Sequence, residues 1–175
     1  PTCELAPACS EPVVLCRPPA FSSARGGWAR VESRRAALAR FLGIAKALAD
    51  EGAELAFSYQ GDAFGKRVEP LAASVGSDFL VDVDVTNDDS LEACFGALKD
   101  RWGTMDFLIH AIAFANKEDL SNPYVQTSRA GFHLAMDVSA YSLVALAQRA
   151  APLMEGRNGS IVTLTGRHFD ATELL

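Results

Sequence analysis

The sequence predicts a three-layer α/β/α fold, in which helices cover both faces of a doubly wound parallel sheet. Two apolar runs of strand length, Asp78–Val85 and Met105–Ala113, are rich in β-branched residues and are flanked by helix-like segments. Strands of this kind are typical of parallel sheets, because both faces of such a sheet are buried. A chain of 175 residues that is 49% apolar can bury the core of about one domain.

The first half of the chain alternates predicted helices and strands. Helices are predicted over 34–51, 62–75 and 87–101, and strands over 53–59 and 78–85. An earlier strand is only weakly marked, at Val13–Leu15. Ser33 and Gly52 are natural limits of the first helix, and Pro70 should interrupt the second. Thr86, three residues before Asp89, predicts a capping box at the start of the third helix.

The second half continues the pattern and then loses it. Strands are predicted over 105–113 and 160–165, separated by a polar loop over 116–125 and a long helix from Thr127 or Ser128 to Met154. That helix carries a stripe expected to be buried, formed by Phe132, Ala135, Met136, Ser139 and Ser142. We expect one partial domain over 33–165, a disordered tail over 1–32, and a second tail over 166–175. The C-terminal strands of a complete sheet are absent.

The charge and the cysteine spacing argue against some classes of partner and of binding site. Residues 1–40 hold six arginines and three glutamates, a charge of +3; the whole chain carries −6, so the rest carries −9. An acidic body argues against nucleic acid as a partner. No apolar run approaches the length of a membrane span. The four cysteines (Cys3, Cys9, Cys16 and Cys94) match no zinc pattern, so we predict no metal site, free thiols and a reducing, cytoplasmic location.

Ligands of doubly wound sheets bind beyond the carboxyl ends of the strands. Those ends carry Asp84 and Val85 in one case, and Ala111, Ile112 and Ala113 in the other. The Asp84 carboxylate can accept a hydrogen bond from an adenine amino group, or it can cap the next helix. The small residues let a ligand approach the backbone.

Six segments share a further pattern: Gly43–Leu48, Gly52–Gln60, Asp84–Val85, His110–Ala115, Asp137–Ser142 and Leu164–Thr165. Together they resemble the NADH-dependent enoyl-acyl-carrier-protein reductases of bacterial fatty-acid synthesis, a branch of the short-chain dehydrogenase/reductase superfamily. The resemblance is nearly continuous from Gly43 to Thr165 and diverges at both ends. It implies a Rossmann-like fold, NADH as cofactor, an enoyl thioester on acyl carrier protein as substrate, and a homotetramer for the complete family.

The resemblance also implies roles for single residues. Cofactor-binding positions would be Gln60, Asp84, Val85, Ala111, Ile112 and Ala113, and substrate-side positions Ala115 and Thr165. Gln60 stands where dinucleotide folds often carry an acid for a ribose hydroxyl, and its alternative is a loop glutamine in solvent. Lys66 and Arg67 could bind the extra phosphate of NADPH, but such a pair more often forms a solvated helix face. His110, on an apolar strand, is interpreted as a core histidine rather than a catalyst.

Two departures from the family pattern bear on activity. The glycine-rich turn that holds the pyrophosphate should end just before Gly43, but Val31–Arg35 contains no glycine. The family's tyrosines and lysine after the Thr165 position are missing too, and Lys117 is the last lysine. We therefore assign no catalytic residue. We interpret the chain as a catalytically deficient fragment of such a reductase, produced by a frameshift or truncation, or as a non-catalytic nucleotide-binding or subunit-interaction fragment.

Overall fold

The computed structural model describes residues 14–17 and 34–164. Its strands are β1 (Val14–Arg17), β2 (Glu54–Tyr59), β3 (Phe79–Asp82), β4 (Phe107–His110) and β5 (Ser160–Thr163). They form one sheet in the order β3-β2-β1-β4-β5, which is the Rossmann order as far as it extends. The predicted Rossmann-like sheet is therefore confirmed. Most of the predicted tails 1–32 and 166–175, together with Ser33, lies outside the described residues.

The direction of β1 differs from the prediction of an all-parallel sheet. β2 pairs with β3 in parallel, and β4 pairs with β5 in parallel. The strand that the sequence marks weakly at Val13–Leu15 corresponds to β1. It lies in the sheet, but it runs antiparallel to both of its neighbours. The physical reason is that a short strand can satisfy the main-chain groups of its neighbours in either direction.

Six α-helices connect the strands. They are α1 (Arg34–Asp50), α2 (Asp62–Ser74), α3 (Asp88–Trp102), α4 (Lys117–Ser121), α5 (Arg129–Met136) and α6 (Ser142–Met154). A 3₁₀ turn at Tyr124–Gln126 precedes α5, and a π-helical segment at Asp137–Tyr141 joins α5 to α6. The loop predicted over 116–125 therefore contains α4 and the start of the 3₁₀ turn.

Two details of the predicted helices were wrong. Pro70 lies inside an uninterrupted α2, because Pro70 and Lys66 are both exposed and the carbonyl that loses its hydrogen bond is left near solvent. The cap of α3 is Asn87, whose side chain accepts hydrogen bonds from the Asp89 and Ser90 N–H groups. Thr86 does not cap the helix, since its N–H and hydroxyl both donate to Asp84 instead.

Alternating side chains divide the sheet between two cores. Leu55 and Phe57 of β2 pack with buried residues of α1 and α2. Ala56 of β2 and Leu108 of β4 pack on the opposite face, with α3, α6 and the π-helical segment. Helices thus cover both faces, and the three-layer arrangement is confirmed.

The predicted stripe of the long helix is buried at its C-terminal member, Ser142, but not at Phe132 and Met136. Phe132 and Met136 are 46% and 48% exposed, whereas Val138 and Ser142 are buried. The reason is the π-helical segment, whose wider turn shifts the side chains that follow it out of a 3.6-residue period.

Among the described residues, one continuous helix, Arg129–Met154, is long and apolar enough to cross a membrane by length and composition. No such run was expected from the sequence. The observation is weak, because core helices of soluble proteins pass the same criterion.

Candidate nucleotide-binding edge

Four strands of the sheet end at the same edge. β1 is antiparallel to both β2 and β4, so these two strands run in one direction, and β3 and β5 run parallel to them. We call the side where β2, β3, β4 and β5 end the carboxyl edge. It gathers Gln60 after β2, Asp84 and Val85 after β3, and Ala111–Ala113 after β4.

The end of β2 turns directly into α2. Gln60 is exposed, and Gly61 follows it with a φ of 75°, a conformation that glycine adopts without strain. The Gly61 N–H donates a 2.9 Å hydrogen bond to Asp82 Oδ1. Gly65 faces the ring of Tyr59, and a Cβ there would lie only 2.8 Å from a ring carbon. The first turn of α2 can therefore pack close to the end of β2.

Asp84 organises the turn after β3. Its Oδ1 accepts hydrogen bonds from the Thr86 N–H at 2.9 Å and from the Thr86 hydroxyl at 2.7 Å. Its own N–H donates to Ser90 Oγ at 3.0 Å. Since Asn87 caps α3, Asp84 does not fill that alternative role. The side chain is half-buried, and its position beside a ligand stays a prediction.

The residues after β4 differ in exposure. Ala111 and Ile112 are buried, while Ala113 is exposed and Ala115 is half-buried. Phe114 is held by Ser139 of the π-helical segment, whose hydroxyl accepts from the Phe114 N–H and donates to the Phe114 carbonyl. Ile112 contributes to the core below the edge, so Ala113 offers the most accessible backbone of this segment.

His110 is a buried core histidine, as predicted. Ser142 Oγ donates to the Val138 carbonyl at 2.6 Å, so it accepts from His110 Nε2–H at 2.8 Å. His110 Nδ1 is then the acceptor for the Thr163 hydroxyl at 3.0 Å. Burial lowers the pKa of His110, which favours this neutral form. The ring ties β4 to β5 and to α6.

Cys94 is the cysteine whose side chain the structure describes. It is buried and free, and burial raises its pKa to about 11. A thiol of this kind is a packing residue rather than a nucleophile. Among residues with described side chains, no three His, Cys, Asp or Glu residues are arranged to hold a metal ion.

Known proteins share the fold and much of the sequence. The family model for enoyl-(acyl carrier protein) reductase matches residues 42–169. The chain belongs to this family. It is 51% identical over 123 residues to enoyl-[acyl-carrier-protein] reductase [NADH] 2 of Rhizobium meliloti (strain 1021), a match that covers 70% of this chain and 46% of the relative. It is 47% identical over 123 residues to the enzyme FabI of Aquifex aeolicus (strain VF5), with the same coverage.

Solved structures of the family agree with the fold. The enoyl reductase of Anaplasma phagocytophilum, in complex with NAD, has a TM-score of 0.65 and 44% identity, covering 69% of this chain and 46% of that one. FabI of Candidatus Liberibacter asiaticus has a TM-score of 0.68 and 47% identity, covering 71% and 48%. The chain thus spans less than half the length of these relatives.

The carboxyl edge brings together six of the eight residues that the family resemblance predicts for ligand binding. Gln60, Asp84, Val85 and Ala111–Ala113 all follow strand ends there. Ala115 lies two residues further along the chain, just before α4. Thr165 lies outside the described residues.

The fit to a dinucleotide differs between its two halves. The residues predicted for the adenosine half follow the ends of β2, β3 and β4. The glycine-rich turn of this fold follows the carboxyl end of the first strand, but here Arg17 pairs with Glu54, so β1 ends at the opposite edge. The described residues therefore do not form the pyrophosphate-binding turn in the usual way.

Sequence reasoning missed Asp82 at this edge. Asp82 pairs with Tyr59 across the β2–β3 ladder, and its carboxylate reaches the residue directly after Gln60. The one available signal was the Asp82-Val83-Asp84 alternation at the end of β3. That alternation does not show that Asp82 lies near Gln60 until the register of β2 and β3 is known.

Proposed function

We propose that this chain corresponds to part of an NADH-dependent reductase of trans-2-enoyl groups carried on acyl carrier protein, and that it retains the adenosine half of the cofactor site. The observation that carries the proposal is the convergence of Gln60, Asp84, Val85 and Ala113 at the carboxyl edge of a chain that belongs to this family. The complete enzyme would act in fatty-acid elongation in the cytoplasm, as a homotetramer.

Bound NADH would supply the hydride in the complete enzyme. The residues assigned here would hold the other end of the cofactor. The second oxygen of the Asp84 carboxylate would accept a hydrogen bond from the adenine amino group, Val85 would contact the base, and Gln60 would contact the adenosine side. Ala115 and Thr165 would lie on the substrate side.

We expect negligible turnover by this polypeptide. Hydride addition to an enoyl thioester places negative charge on the thioester oxygen, and losing one donor to such an oxyanion typically costs about 10²–10³ in rate. The family's tyrosine donor and lysine are both missing from the sequence. NADH oxidation by the purified chain with a crotonyl thioester would contradict this expectation.

The binding proposal is tested by NADH titration of the full ¹⁵N-labelled chain. We expect shift changes at the amides of Gln60, Asp84, Val85 and Ala113. Asp84→Asn keeps an oxygen for Thr86 but turns an amide donor toward the adenine amino group. It should weaken binding roughly tenfold, the loss of a hydrogen bond to a charged group.

Asp100→Asn is the matched control, because it removes the same charge from an exposed position in α3, near the end of the helix away from this edge. Asp100→Asn should bind NADH as the unmodified chain does. If NADH shifts no amide at the carboxyl edge, the chain holds no adenosine site and the proposal fails.

A second candidate is a subunit-interaction role for the long helix Arg129–Met154. Large apolar side chains are exposed along it, namely Phe132, Leu134, Met136, Tyr141 and Val144. Patches of this kind mark interaction surfaces. Sedimentation velocity over a range of concentrations tests the role, and a monomer at every concentration would argue against it.

A further inference from the structure

Asp82 places a carboxylate where the end of β2 lacks one. Dinucleotide folds often use an acid in this region to bind the ribose 2′-hydroxyl of NAD, and the corresponding position here is the neutral Gln60. The Tyr59–Asp82 pairing brings an acid from the adjacent strand instead. Asp82 is exposed, and its Oδ1 lies 2.9 Å from the N atom of Gly61.

The second oxygen of Asp82 is available to a ligand. Among the described residues, the hydrogen bond to Gly61 is the one that Asp82 accepts, and it uses Oδ1. That bond fixes the carboxylate beside the start of α2. Oδ2 is left with no described partner, so it can accept from a hydroxyl group.

The surrounding charges oppose a phosphate at this position. The N–H groups at the start of a helix attract anions, but Asp82 already satisfies the one at Gly61 with its own charge. The guanidinium of Arg67 lies 5.7 Å from the ring centre of Phe64, and is thus engaged on its own helix.

We infer that Asp82 is a specificity-determining residue, which accepts a hydrogen bond from the adenosine ribose of NADH and repels the 2′-phosphate of NADPH. The inference rests on the proposed adenosine site. It assigns the preference for NADH to an acid on β3 rather than to Gln60. It also implies that Lys66 and Arg67 do not supply a phosphate site.

The test uses two nucleotides that isolate this half of the cofactor. The dissociation constants of 5′-AMP and of adenosine 2′,5′-bisphosphate are measured by calorimetry for the full chain. Asp82→Asn keeps an oxygen acceptor for Gly61 and removes the charge. Asp62→Asn is the matched control, since it removes the same charge one residue after Gly61. Circular dichroism confirms that each variant is folded.

The unmodified chain should bind 5′-AMP more tightly than the bisphosphate. Asp82→Asn should tighten bisphosphate binding roughly tenfold, as expected for one charge a few ångströms from a phosphate, and leave 5′-AMP within about threefold. Asp62→Asn should change the ratio of the two constants much less. If Asp82→Asn does not fold, the unmodified chain still provides a test, because its preference should weaken as ionic strength rises.

Failure of the Asp82 inference and failure of the proposed adenosine site give different results. If 5′-AMP binds but Asp82→Asn leaves the ratio unchanged, or Asp62→Asn changes it equally, Asp82 does not set the preference and the adenosine site still stands. If the preference for 5′-AMP does not weaken as ionic strength rises, Asp82 likewise does not set it, and the adenosine site still stands. If neither nucleotide binds the unmodified chain, the adenosine site is wrong and the inference falls with it.

Discussion

β3 and β5 are both edge strands of the same sheet, but within residues 14–17 and 34–164 side chains pack over β3 and not over β5. Phe79 of β3 packs edge-to-face on Trp102, with ring centres 5.4 Å apart, and lies under the guanidinium of Arg101. In β5, Ile161 and Val162 are 41% and 48% exposed. Described side chains thus cover part of β3, whereas the described residues leave the side chains of β5 exposed.

The contrast between β3 and β5 bears on where the proposed adenosine site lies. Three residues of the proposed adenosine site, Gln60, Asp84 and Val85, follow β2 and β3 on the covered side, and Ala113 follows β4. An uncovered edge strand is also a surface on which other chains can add, and it contributes little to stability by burial.

The largest predicted effect is the removal of the cover over β3. Trp102 is 8% exposed and joins Phe79 to the α3 core. Trp102→Ala should lower the free energy of unfolding by about 3–5 kcal/mol, the usual cost of truncating a buried aromatic. Urea denaturation followed by circular dichroism measures the change. Trp102→Phe, which retains an aromatic ring, should lose much less, and equal losses in the two variants would contradict the proposed role of the ring packing.

An intermediate effect is expected at His110, the tie between β4 and β5. Because burial lowers its folded pKa, the unfolded chain takes up a proton at higher pH than the folded chain does. The contribution of the neutral ring to stability is therefore complete above about pH 6.5 and is lost as the pH falls toward the lowered value. Urea midpoints measured across this range should fall with pH.

The control for this pH dependence is His110→Gln, which keeps a polar side chain but cannot titrate. This variant should lose about 1–3 kcal/mol at neutral pH through poorer hydrogen bonding to Ser142 and Thr163. It should also lack the part of the pH dependence that His110 provides. A variant whose urea midpoint falls with pH as steeply as that of the unmodified chain would show that other groups are responsible.

The smallest effect is expected on the open side. Ile161→Thr keeps a β-branched side chain in β5 and removes apolar surface that is already in contact with water, so stability should change by no more than about 0.5 kcal/mol. The same urea experiment provides the measurement, with Val162→Thr as the matched variant. A loss close to that of Trp102→Ala would mean that β5 is covered in solution, and the contrast between the two edges would then be wrong.

Much of the helix and strand content was predictable from the sequence. The apolar, β-branched runs gave β2, β3, β4 and β5, each shorter in the structure than predicted. Gly52, with a φ of 83°, follows α1 as expected of a helix stop. His110 was identified as a core residue because an apolar strand leaves an imidazole little access to water. These properties depend on residues close together in the chain.

The candidate site was predictable only in part. The position of Asp84 and Ala111–Ala113 at the ends of strands was predictable, and their contact with a ligand stays a prediction. The hydrogen bonds of Asp84 to Thr86 were not foreseen, since Asp84, Thr86 and Asn87 are all plausible caps and the sequence does not choose among them. The exposure of Phe132 was missed because the π-helical segment breaks the period by which helical faces are counted.

The sequence by itself determined the family and the alternation of strands and helices. The tertiary structure alone decided the direction of β1, the openness of β5 and the position of Asp82 beside Gly61. The physical reason is that strand pairing uses main-chain groups that nearly every residue shares. Direction and register therefore follow from how distant segments meet, not from the residues of any one segment.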